Sequence, residues 1–272
     1  MLISAVISLK ARKDAAARPR GRAVHAWFLQ QVARHDAALA GYLHHGDKGI
    51  RPFTVSDVRS RLDRFSPRGE PIYGGNRYVI RVTSVMPELS ELLEREALPD
   101  LTPRLDLAGA FFEVMRTTTE ARKHAWAGRS SRKRLWQDSA DAHTASVGLL
   151  FASPTTFRSQ GAFVPVPWPR LVFQSLIRKW NLFADIPLPE EVLDVIETSL
   201  AIRGYNLQAT GIALNKDEGM KMPAFWGKCE YAVKRKDKSL QRLVHTLAAF
   251  AFYAGVGKQT TMGLGQVRQI IR

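Results

Sequence analysis

The chain has 272 residues, 45% of them hydrophobic and 9% aromatic, enough to bury a sizeable core and too apolar for wholesale disorder. Its formal net charge of +15 is shared by both halves, with 24 basic against 15 acidic residues in 1–140 and 16 against 10 in 141–272. An extended polyanion lying across the molecule fits that distribution better than one basic tail, and no basic amphipathic helix argues for a membrane surface. A single cysteine, Cys229, excludes an intrachain disulfide and a cysteine-based metal cluster. The opening MLISAVISLK is too short to span a bilayer and lacks a positive n-region. The expectation is a cytoplasmic protein with no membrane partner.

Taken in chain order, residues 2–9 read as a buried strand. The spacing then turns helical over 23–44, with Trp27, Phe28, Val32, Leu39 and Leu43 as its apolar positions. Strands are predicted over 53–58 and 78–85, a short helix opened by proline over 87–96, and a strand over 105–115. That order is β-α-β-β-α-β, the ferredoxin-like arrangement. The second half repeats it. A strand over 147–151 leads into helical segments over 168–200 broken near Pro187 and Pro189, then strands over 205–214 and 225–233, a helix over 240–253, and a last strand over 265–271. The predicted fold class is therefore α+β: two tandem ferredoxin-like modules, spanning 1–140 and 141–272.

Between the modules lies a polar, basic stretch over 117–141, with Arg122, Lys123, Arg129, Arg132, Lys133 and Arg134 against few acids. It reads either as a solvated linker or as an RNA-facing strip in which Trp126 stands among the charges.

The C-terminal stretch GVGKQTTMGLGQVR holds Gly255, Gly257, Gly263 and Gly265 around Lys258, Gln259, Thr260 and Thr261. A Walker A loop would need glycine where Phe252 stands and Ser or Thr where Gln259 stands. A dinucleotide fingerprint would need glycine in place of Thr260 and a following helix, but only seven residues follow Gly265. Both nucleotide-pocket readings fail. What remains is a helix, a glycine loop and a strand: either a tight turn with Gly255 as its cap, or a nest of free N–H groups gripping a nucleic-acid backbone.

These residues resemble a family. A G-x-G-x5-G-x-G loop on a second ferredoxin-like module looks like that of the repeat-processing endoribonucleases of CRISPR systems, within the repeat-associated mysterious protein (RAMP) superfamily. LLFASPTTFRSQG at 149–161, FWGKCEYAV at 225–233 and YLHHGDKGIRPFTVS at 42–56 resemble other segments of that family. The resemblance implies a metal-independent endoribonuclease without cofactors that binds and cuts CRISPR repeat RNA. Attack by a ribose 2′-OH would leave a 2′,3′-cyclic phosphate and a 5′-hydroxyl. It also implies CRISPR effector subunits or a homodimer as partners. The alternative is a non-cleaving RAMP-type subunit that only binds guide RNA.

Such a reaction needs a proton acceptor, a proton donor and positive charge on the phosphorane, which histidine and arginine supply near neutral pH. His44 and His45 stand where a predicted helix runs out into a glycine-containing loop, and the family's L-H pattern falls on Leu43-His44. His44 is therefore the catalytic candidate, with His45 one residue away as the fallback. Arg51 matches the family's basic residue before P-F-T, with Lys48 nearby. Leu29 occupies the position of a tyrosine found in some members, which puts a tyrosine-containing triad in doubt. His25 and His245 read as packing or surface residues inside helices. The adjacent His35 and Asp36 suggest a metal-dependent phosphohydrolase only if further ligands exist, and Asp36 reads better as a helix N-cap.

Overall fold

The structure is a computed structural model and describes residues 1–45, 49–67, 69–140, 145–213, 221–234 and 237–270. The chain divides into two compact units. Unit 1 comprises Met1–Ser130 with Thr261–Gly263, and unit 2 comprises Ser131–Thr260 with Leu264–Arg272. The division after Ser130 lies upstream of the boundary drawn from the sequence.

In unit 1, β1 (Leu2–Ala11) is the central strand because nearly all of it is apolar and buried. It pairs antiparallel with β3 (Arg77–Ser84) on one side and β5 (Ala110–Thr118) on the other. With β2 (Phe53–Val55) and β4 (Arg104–Leu107) at the edges, the sheet order is β2-β3-β1-β5-β4. Ile3, Ala5, Ile7 and Leu9 form one face of β1 and join the core with Val24, Trp27, Phe28 and Val32 of α1 (Gly21–His35). The alternate residue Ser4 turns to the opposite face, where its hydroxyl donates to the Trp126 carbonyl at 2.6 Å. Here α3 is Pro87–Leu92, extended by one wide turn over Leu93–Ala97.

Two predicted elements divide. The helix expected over 23–44 breaks at Asp36, whose backbone is extended (φ −148°). Its Oδ1 accepts from the Leu39 N–H at 2.8 Å and so starts a second helix, α2 (Ala37–His45). The strand expected over 105–115 is a hairpin of β4 and β5, turned at Ala108 and Gly109 with φ of 55° and 86°.

The stretch expected as a connector is structured. Its first part returns to unit 1 as β6 (Gly128–Ser130), paired with β1. Trp126 is 3% exposed, with the Arg81 guanidinium 5.1 Å from its ring centre. Its indole covers the sheet and does not stand among solvated charges. The second part is α4 (Arg132–Asp138), capped by the Ser131 hydroxyl accepting from the Arg134 N–H at 3.1 Å.

Unit 2 repeats the order. Its sheet is β10 (Leu200–Ala213), β11 (Lys221–Val233), β7 (Ser146–Thr155) and β12 (Val267–Ile270), in that spatial order. A small hairpin of β8 (Phe157–Ser159) and β9 (Ala162–Val164) was not anticipated from the periodicity. The helices are α5 (Pro169–Phe183), α6 (Val192–Ser199) and α7 (Lys238–Ala254). Both units are thus ferredoxin-like, with strands one and three of each motif central. Among the described residues no helix is long and apolar enough to cross a membrane.

Candidate functional site

The end of α2 sets the geometry around His44. Arg51 returns toward the helix and its Nη2 donates to the His44 carbonyl at 2.7 Å, satisfying one of the helix's terminal acceptors. The His45 ring is occupied differently: its Nδ1 bonds the Gly41 carbonyl at 2.9 Å, one turn back. Among the described residues the His44 ring meets the His45 ring edge-on, with centroids 5.2 Å apart, and is exposed. Both rings are exposed; one nitrogen of His45 is engaged, whereas neither ring nitrogen of His44 has a hydrogen bond among the described residues. Lys48 lies outside the described residues.

A third histidine joins this pair. His25, on α1, stacks on Phe53 at 5.6 Å between ring centres. Burial depresses its pKa; a hydrogen bond to the Thr261 backbone opposes the shift, and the nearby charges of His44 and Arg51 add to it. The ring is therefore neutral at neutral pH. Among the described residues its buried Nδ1 has no hydrogen-bond partner, nor has the buried Nη1 of Arg51. Buried polar nitrogens normally find partners, so this pair offers an unused acceptor and an unused donor beside an exposed imidazole. Sequence reading treated His25 as a packing or surface residue. One signal was available: it lies one helical turn before Leu29, the position of the missing tyrosine, and Leu29 itself packs against the core.

The glycine loop reaches this site through its tip, since Thr261–Gly263 belong to unit 1. Gly263 has φ +91°, and a Cβ there would lie 2.4 Å from Asp57 Oδ1; a Cβ on Gly21 would lie 2.1 Å from the Met262 carbonyl carbon. The same Asp57 oxygen accepts from the Gly21 N–H at 2.7 Å. Within unit 2, a Cβ on Gly257 would fall 2.5 Å from the Thr156 oxygen, and one on Gly265 would fall 2.0 Å from the Val256 oxygen. Backbone closeness is what these glycines allow.

The open nest of N–H groups is not what the loop forms at most of its positions. The N–H groups of Gly255, Val256, Lys258, Leu264 and Gly265 all donate to carbonyls of the protein. Those of Gly257 and Gln266 donate to the hydroxyls of Ser175 and Ser153, each at 2.9 Å. Thr260 and Thr261 are buried, leaving Lys258 and Gln259 exposed at the rim. Beneath the loop, Lys179 of α5 is 6% exposed and donates to the Ala254 carbonyl and to Thr260 Oγ1, the latter at 3.0 Å. Burial pulls its pKa down to about 7.

Four basic residues of the predicted strip, Arg129, Arg132, Lys133 and Arg134, have separate surroundings. Arg129 pairs with Glu94 at 2.5 Å and bonds Thr119 at 2.7 Å. Arg132 lies over the rings of Trp180 and Phe250, 5.6 and 5.7 Å from their centres, and burial lowers its pKa. Arg134 pairs with Asp138 one turn on, at 2.8 Å. Of the four, Lys133 alone is exposed without an acidic or aromatic partner among the described residues. They do not form one continuous free strip.

The His35-Asp36 pair resolves into two structural uses. His35 faces Glu96 and Asp100 at 3.8 and 3.5 Å, while Asp36 caps α2. Among the described residues no group of three or more His, Cys, Asp or Glu side chains is placed to hold a metal ion.

Comparison with known proteins bears on this arrangement. The family model described as "CRISPR-associated endoribonuclease Cas6" matches residues 149–267. A Cas6 endoribonuclease of Streptococcus thermophilus is 34% identical over 122 residues, 44% of this chain and 49% of the relative, so the match spans about half the relative's length. A solved product complex of a Thermus thermophilus Cas6 is 25% identical and superposes over 99% of this chain and 100% of that one, with a TM-score of 0.81. A second Cas6 product complex, also 25% identical, covers 99% of both chains at a TM-score of 0.77. Residues 149–267 thus carry the Cas6 family signature, and the chain as a whole has the Cas6 fold.

Proposed function

We propose that the protein is an endoribonuclease that binds CRISPR repeat RNA and cuts it by attack of a ribose 2′-OH on the adjacent phosphate. One observation carries this reading: an exposed His44 imidazole stands beside an unfilled Arg51 donor, in a chain whose fold matches Cas6 product complexes from end to end. The 2′-hydroxyl loses a proton as its oxygen bonds to phosphorus, the P–O5′ bond breaks, and the leaving 5′-oxygen takes up a proton. The products are a 2′,3′-cyclic phosphate and a 5′-hydroxyl, and protons balance without water.

His44 is the proton-transfer residue, since an imidazole exchanges protons readily near neutral pH. The Arg51 guanidinium supplies positive charge beside a non-bridging oxygen as negative charge grows on the phosphorane. His25 is a positioning residue: uncharged, it adds no competing cation and ties α1 to Thr261 of the glycine loop. This chemistry needs no metal ion. Labelled repeat RNA incubated with the protein in EDTA should be cut within the repeat. Tight binding with no cutting would instead support a guide-RNA-binding subunit, and cutting only after metal addition would overturn the acid-base mechanism.

A further inference from the structure

At the end of β3 remote from His44, unit 1 has a cavity of about 400 Å³, within the roughly 300–1,000 Å³ range of small-ligand sites. Arg77 opens β3, whereas Phe53, two residues after Arg51, pairs with Ser84 at its close. Seven strand residues at about 3.3 Å each put the two ends roughly 23 Å apart, so the cavity is separate from the His44 centre. Its lining includes Ser60, Arg64, Glu70, Tyr73, Asn76 and Arg77.

The walls are fixed before anything binds. Tyr78 donates its hydroxyl to the Pro71 carbonyl at 3.0 Å and accepts from the Tyr73 N–H at 2.9 Å. Asp14 accepts from the Gly74 N–H at 2.7 Å, and the Ala11 carbonyl accepts from the Gly75 N–H at 2.8 Å. Across the cavity, Glu70 Oε2 accepts from the Ser60 N–H at 2.7 Å. On this rigid turn the Tyr73 side chain is left 54% exposed, with no ring partner among the described residues. Arg64 and Arg77 are exposed as well, and neither guanidinium has a hydrogen-bond or ion-pair partner among the described residues.

An unstacked aromatic face, two unpaired guanidinium groups, an amide and one free carboxylate oxygen match the parts of a nucleotide in number and kind. We infer that this cavity holds a nucleotide of single-stranded RNA, away from the cleavage centre. The base stacks on Tyr73, its edge meets the Asn76 amide, and the flanking phosphates meet Arg64 and Arg77. Glu70 Oε1 accepts from a ribose hydroxyl or an exocyclic amine. An apolar ligand is disfavoured by the charged lining, and an acidic peptide would leave the tyrosine face unused. The inference rests on the ribonuclease reading for its substrate, though not for its chemistry.

The test separates the two. An unstructured ten-nucleotide RNA is titrated by fluorescence anisotropy at several salt concentrations against wild type, Tyr73→Ala, Tyr73→Phe and Arg64→Ala/Arg77→Ala. Repeat-RNA cleavage is measured in parallel at saturating protein. Tyr73→Ala should weaken binding roughly 5- to 150-fold, the range for one lost stacking contact, and Tyr73→Phe should bind like wild type. The double variant should lower the slope of log affinity against log salt by about 0.7 to 1.4, one to two phosphate contacts on a single strand. Cleavage at saturation should not change. All three variants binding within twofold of wild type, with the slope intact, would overturn the site even if wild type cuts repeat RNA. Conversely, wild type failing to cut while the variants still lose RNA affinity would leave the site standing and remove the ribonuclease reading. All the altered side chains are exposed, and a thermal melt of each variant checks folding.

Discussion

The two units share one scaffold and use it for different ends. Each sheet places the first and third strands of its motif at the centre, yet the histidines of the candidate site are in unit 1 and the family signature is in unit 2. Unit 2 is marked by backbone geometry: Gly257 and Gly265 let main-chain atoms approach to distances that a Cβ would forbid. Unit 1 is marked by side-chain chemistry, where His25 feels the charges of His44 and Arg51 and two nitrogens are unfilled among the described residues. Steric demands on the main chain leave a regular glycine spacing in sequence. A candidate site assembled from a helix face, a helix end and a loop leaves scattered single residues.

That contrast sets the order of expected effects. His44→Ala should lower the single-turnover cleavage rate by roughly 10²- to 10⁴-fold, the usual worth of a proton-transfer residue, with RNA affinity retained. An unchanged rate would move the chemistry out of the α2 end. Gly265→Ala should cost about 3 kcal/mol or more in a denaturant titration, because the residue has φ +63° and its new Cβ would collide with the Val256 carbonyl. A cost near zero would mean that the loop backbone shifts freely and that its glycines carry no structural demand.

Buried Lys179 gives a pH signature to unit 2. Its folded pKa of about 7 lies below the ordinary 10.5, so between these values the unfolded chain holds the proton and the folded chain does not. Stability relative to Lys179→Met should therefore rise as pH goes from 7 toward 10.5 and level off outside that window. Parallel stability profiles for the two proteins would contradict a Lys179 pKa lowered by burial. His25 gives unit 1 a weaker signature at lower pH. Its folded pKa is depressed below 6.5, so stability should fall as pH drops from 6.5 through the folded value, and His25→Gln should flatten that part of the curve. At the small end, Arg134→Ala should change stability by no more than about 0.5 kcal/mol, since its partner Asp138 lies one turn away on an exposed helix face.

The sequence made the regular parts of the fold legible. The period-two strands and the apolar stripes of α1, α5 and α7 led to both ferredoxin-like modules. Failures fell where one residue overrides periodicity. Asp36 ends one helix and starts the next without interrupting the apolar spacing, and Ala108-Gly109 turns an apparently continuous strand. The basic stretch after residue 117 looked like a linker because its charges face outward, while Trp126, Leu135 and the β6 pairing fix it from within. At the site, the L-H pattern points to His44; both histidines are exposed, and what separates them is that His45 Nδ1 is tied to the Gly41 carbonyl. His25 was passed over because a histidine in the middle of a helix gives no sign in sequence of what it faces. The glycine loop was visible as a motif, but its donors are mostly spent inside the fold, and the sequence could not show that.

The central claim is that a ribose 2′-hydroxyl, activated by side chains of unit 1, attacks the scissile phosphate. Repeat RNA carrying a single 2′-deoxy nucleotide at the cleavage position, compared with all-ribose RNA in EDTA, tests it most directly. The account predicts that the deoxy RNA binds with unchanged affinity and is not cut, while the all-ribose RNA yields a 2′,3′-cyclic phosphate and a 5′-hydroxyl. Efficient cutting of the deoxy RNA, or products ending in a 5′-phosphate, would contradict it.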